Sequence, residues 1–168
     1  MAIGEALLPE FDHEMATTRR VLERVPDDKF AWKPHAKSMS MGDLARHLSD
    51  LPQMAGMVLT QPGFDLASRP AADPASRPAT RAALLEAFDG HVKAAREAIA
   101  SKTDPEFAAI WSLKRNGQEI FSLPRVAAIR SLVMNHSIHH RGQLSVYLRL
   151  NDLPVPSIYG PSADEGRM

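Results

Sequence analysis

Two histidines four residues apart, His136 and His140, carry the clearest chemical signal in this chain. On a helix that spacing sets both imidazoles on one face, one turn apart, close enough to grip a single ion. His47 lies three after Leu44 and four before Leu51, so a second helix presents a third imidazole on its inward side. Three neutral imidazoles completed by a water form a known zinc arrangement, and the core of a helical bundle is where such sites are built. The expectation is one divalent ion held by His47, His136 and His140, with an open position available for chemistry.

A lone inward histidine is more often a hydrogen-bonded core residue than a ligand. What points to metal is the pair inside an apolar stripe together with a third histidine on another helix. His139, three after His136, competes with His140 for the role of ligand. Its stripe of Leu132, Asn135, His139, Gly142 and Val146 borders the main one, so it is read as supporting the ligands or as a helix contact. Gln143 is read as a hydrogen-bond partner of a ligating imidazole or of bound water; the alternative is that it caps polar neighbours. His13 and His35 follow no inward pattern and are read as solvated, and His91 as a packing residue. Ser137, where a glutamate base would follow the first histidine of a zinc protease motif, disfavours peptide hydrolysis of that type.

The elements that must position these residues read as all-α. Leu7, Phe11, Met15, Thr18, Leu22 and Val25 give a helical stripe over Gly4 to Val25, stopped by Pro26. Asp27 to Met39 is a connection in which Trp32 plugs a core edge. Ser40 and Asp43 have capping-box spacing, and Leu44, Leu48, Leu51, Ala55 and Val58 make a second helix that Pro52 should bend. Gln61 to Thr80, with Pro62, Pro70, Pro74 and Pro78, is a long crossover. A third helix runs from Thr80 to about Lys102 on Leu85, Phe88, Val92, Ala95 and Ile99. Between Phe107 and Leu123, Asn116 and Gly117 suit the type I′ turn of a small β-hairpin. The fourth helix starts near Pro124 and runs to Leu150, with Val126, Ile129, Val133, His136, His140, Gln143, Tyr147 and Leu150 as one inward stripe. Leaving its polar members buried without partners would cost roughly 1 to 3 kcal/mol each. The tail from Asn151 is proline-rich and non-helical.

Composition narrows the function. The 168 residues, 44% apolar and 24% charged, suit one globular domain over 1–168. Twenty basic residues balance twenty acidic ones, so no positive field favours nucleic acid. The absence of cysteine excludes disulfides, thiolate ligands and a protein thiol nucleophile, so any thiol chemistry must use an external thiol. With no signal-peptide pattern and no run of roughly 20 apolar residues, a membrane role is not expected and a cytoplasmic location is.

At these residues the sequence resembles the DinB/YfiT-like family of bacterial metal-binding bundles. The resemblance lies in Trp32-Lys33-Pro34-His35, Ser38-Met39-Ser40 and Leu44-Ala45-Arg46-His47. It continues in Asn135-His136 through His139-His140-Arg141-Gly142-Gln143-Leu144, and ends in Pro154-Val155-Pro156 with Tyr159-Gly160-Pro161. It implies an up-down-down-up four-helix bundle, often a homodimer, holding zinc or nickel through three histidines, here His47, His136 and His140. Similar proteins include thiol-dependent S-transferases and isomerases and metal-dependent hydrolases, and family membership does not choose among them.

The functional expectation is a metal-dependent enzyme that activates water or a small external thiol toward a small electrophile. Hydrolysis needs a general base, and Glu14, beside the stripe of the first helix, is a weak candidate, which tilts the reading toward thiol activation. The alternatives are a non-catalytic metal-binding or stress-related bundle, and a polar histidine network without metal.

Overall fold

The computed structural model describes residues 2–68 and 77–166; the prolines expected at 70 and 74 lie outside them. Helix α1 spans Ile3–Leu22 and buries the anticipated stripe, with Val25 also buried just beyond its end. At Ser40 the hydroxyl accepts from the Asp43 amide at 3.0 Å, satisfying one of the free donors that open α2, Met41–Asp50. Two carbonyls of the preceding connection clamp the same turn, Trp32 receiving the Met41 amide at 2.8 Å and Phe30 the Gly42 amide at 2.9 Å. A Cβ on Gly42 would stand 2.9 Å from Phe30 atoms, so the close approach needs glycine there. Trp32 packs edge-on against Tyr147, ring centres 5.5 Å apart, and closes a core edge as expected.

Pro52 does more than bend the second helix. It ends α2 and opens a separate helix α3, Gln53–Thr60, because proline has no amide to continue the ladder but suits a helix start. Helix α4, Arg81–Ala100, is capped by the Thr80 hydroxyl accepting from the Ala83 amide. A short α5, Asp104–Ala108, follows, fixed by a capping box of Thr103 and Glu106 that holds the Glu106 carboxyl down to about 2.

The expected hairpin is present but is part of a three-stranded sheet. Strands β2, Ile110–Arg115, and β3, Gln118–Pro124, pair antiparallel around Asn116 and Gly117, both at positive φ (51° and 78°). The crossover supplies β1, Gly63–Asp65, parallel to β2. Asp65 ties it to the turn by accepting the amides of Asn116 and Gly117, and these bonds, with one from Ala67, hold its carboxyl below the usual range. Three residues show no alternation, so the sequence carried no strand signal there.

The last helical run is interrupted. After α6, Arg125–Ile129, the six residues Arg130–Asn135 form a π-helical turn before α7, His136–Arg149. A π turn takes up one extra residue, about 100° of helical rotation. Its effect shows in burial: after Ile129 and Val133, the core-facing residues are Ser137, Arg141, Leu144 and Leu148, whereas Gln143 and Leu150 are exposed. The inward stripe expected from unbroken α periodicity is therefore wrong beyond His136 by one position. Helix α4 packs on α1, α2 and α3, and α7 on α1 and α2, so a mostly helical body encloses one contiguous apolar core with the sheet at its side.

Candidate metal centre

The shift moves the histidines of α7 from the middle of the core to its margin, where α7 faces α2. His47, His136 and His140 are each half-buried, and one nitrogen from each lies within 4.8 Å of the other two. His47 Nε2 is 3.3 Å from His136 Nε2, which is 2.8 Å from His140 Nε2. Two imidazole nitrogens sharing one zinc at 2.0 to 2.1 Å stand about 3.3 Å apart, so the first separation matches and the second is tighter.

The far side of each ring on α7 fixes its tautomer. His140 Nδ1 is 2.7 Å from Gln143 Oε1, an acceptor, so Nδ1 carries the proton and Nε2 offers its lone pair to the cluster. Gln143 is held in that sense because its amide nitrogen reaches His139 Nε2 at 3.1 Å. His136 bonds the Leu132 carbonyl, in the π turn, with its other nitrogen, and so also turns a bare Nε2 inward. Burial, then the charges His140 and His139 would carry, push the His136 pKa down, against an upward pull from Leu132. His136 stays neutral and competent as a ligand. Lone pairs converging on one another need a cation between them, and three imidazoles with oriented outer nitrogens fit a divalent ion.

The other histidines fall where the sequence put them. His13 and His35 are exposed; His91 binds the Ser49 carbonyl at 2.8 Å and ties α4 to α2. His139 stands outside the triad, behind Gln143. Glu14 does not reach the centre as a base. It is buried against Arg141, 2.7 Å from carboxylate to guanidinium, and accepts the Tyr159 hydroxyl at 2.8 Å. Arg141, 1% exposed, also reaches the Glu14 carbonyl, Thr18 Oγ1 and Tyr159. Periodicity missed this network because an arginine reads as surface until its partner, distant in sequence, is known.

Beside the triad lies a cleft of about 370 Å³ whose walls include His47, Asp43, Arg46, Asp50 and Arg77. A family model described as the DinB family matches residues 4–167. The chain belongs to the DinB family. Two solved DinB-like proteins share the fold. One, from Bacillus cereus ATCC 10987, has a TM-score of 0.71 at 21% identity, covering 94% of this chain and 98% of that one. Another, from Bacillus subtilis, has a TM-score of 0.67 at 17% identity, covering 96% and 99%. No curated protein matches this DinB sequence. Among the described residues no helix is long and apolar enough to cross a membrane.

Proposed function

We propose that this DinB-family protein holds one divalent ion, zinc or nickel, through Nε2 of His47, His136 and His140, and is an enzyme acting on a small electrophile with water or a small external thiol as nucleophile. The observation that carries the reading is the convergence of three imidazole nitrogens, two with their outer nitrogens already engaged. A divalent ion at such a site lowers the pKa of water or thiol in its remaining position. The chain's own part is orientation: Gln143 and the Leu132 carbonyl hold the rings of α7, and the Ser40 cap and the Phe30 and Trp32 carbonyls hold the start of the helix that carries His47. Glu14, engaged by Arg141 and Tyr159, is unavailable as a general base, which favours the thiol over the hydrolytic version.

The second reading, a non-catalytic metal-binding bundle, is supported by the same ligands bridging α2 and α7, since an ion there ties the two helices together. A single 1–168 domain with up-down-down-up helices suits the long crossover between α3 and α4. A cytoplasmic homodimer without nucleic-acid partners suits the family resemblance and the balanced charge.

The test is metal content by mass spectrometry beside a His136→Ala/His140→Ala variant, followed by turnover assays with and without small thiols. About one zinc or nickel per chain, absent from the variant, with thiol-dependent turnover, supports the enzyme. Metal bound without turnover leaves the second reading. No uptake after reconstitution rejects both.

A further inference from the structure

The cleft beside His47 sorts its charges in a way that names a ligand class, if the metal-centre reading on which this rests is right. Arg46 is already committed: Nε donates to the Pro78 carbonyl at 2.7 Å, one terminal nitrogen to Asp43 at 3.1 Å, and its guanidinium lies 5.2 Å from the centre of the Phe30 ring. Asp43 also accepts the Ser40 hydroxyl at 2.8 Å. Arg77 is different. Half-exposed, it approaches Asp43 at 3.9 Å, an ion pair too long for a hydrogen bond. Its planar donors therefore face the cleft less encumbered than those of Arg46, and such a fork matches a carboxylate. The about 370 Å³ volume admits a small molecule and not a polymer. Asp43 and Asp50 on the same walls oppose a doubly charged guest such as phosphate.

We infer that the cleft takes a small thiol that also carries a carboxylate, the carboxylate held by Arg77 and the sulfur presented beside His47. The probe pair is 3-mercaptopropionate and its uncharged analogue 3-mercaptopropanol, titrated into cobalt-loaded protein while the thiolate-to-cobalt charge-transfer band is followed. The acid binds about tenfold more tightly than the alcohol, the worth of one charge-assisted contact. Arg77→Gln abolishes that preference and Arg77→Lys keeps part of it, both with cobalt content unchanged. Equal affinities in the wild type overturn the inference. So does a preference that survives Arg77→Gln, which would mean the carboxylate binds the cobalt itself, or competition by inorganic phosphate as strong as by the acid. Wild-type protein that takes up no cobalt rejects the metal centre and this inference together, whereas uptake without preference rejects the carboxylate grip alone.

Discussion

On one face of α7 Arg141 enters the core and finds a carboxylate, a hydroxyl and a carbonyl waiting; on the neighbouring face His136 and His140 meet another imidazole, nitrogen to nitrogen. Both clusters are polar and both join α7 to an earlier helix, α1 in the first case and α2 in the second. In the first, donors meet acceptors, and the charges cancel in place. In the second, like atoms face like, and no arrangement of protons on the rings satisfies all three at once. A polar cluster complete in itself is part of the scaffold. One that becomes complete only when a cation arrives is a site.

The largest expected effect tests the first half of that contrast. Glu14→Ala strands the Arg141 charge in the core and should lower unfolding free energy by about 3 to 5 kcal/mol, read from urea denaturation. A loss of the same size whether or not metal is present keeps the two clusters distinct; a loss that vanishes in apoprotein merges them. Next comes the response to metal: zinc or nickel at a hundredfold excess over its Kd should stabilise the wild type by about 2.7 kcal/mol, and leave His136→Ala/His140→Ala unmoved in the same melt. Gln143→Ala frees the outer nitrogen of His140 and should weaken metal affinity by roughly tenfold or more, measured by competition with a chelator. Unchanged affinity would reduce Gln143 to a bystander.

The smallest effect belongs to Tyr159→Phe, about 1 kcal/mol for the lost hydroxyl. Burial, then the bond to Glu14, raise the Tyr159 pKa above its ordinary value. A raised pKa gives stability that is complete below pH 10 and lost as pH climbs through the folded value. The wild type should therefore show an alkaline decline in stability that the phenylalanine variant lacks.

The parts of this molecule that obey one local rule were legible in the sequence. The stripe of α1, the Ser40 and Thr80 caps, the Asn116-Gly117 turn and the partnership of His47, His136 and His140 all rest on spacing or on one residue's preference. What was missed depends on partners or on exceptions to period. Strand β1 is defined by its neighbour β2 and not by its own pattern. Pro52 announced a disturbance but not whether it would bend the helix or divide it. Arg141 and Glu14 are 127 positions apart, so neither reveals the other. The triad survived the π turn because His136 and His140 lie together on its far side; Gln143, read as inward, is exposed and acts from behind.

That turn also predicts where the chain can gain or lose a residue. Because Arg130–Asn135 already absorbs one extra position, excising a single residue there lets the run relax to an ordinary helix while everything downstream keeps its facing. The same excision between His136 and Arg141 would swing Leu144 and Leu148 out of the core. In evolutionary terms the helix has one place where length is free to vary, and it lies immediately before the first of its two metal-facing histidines.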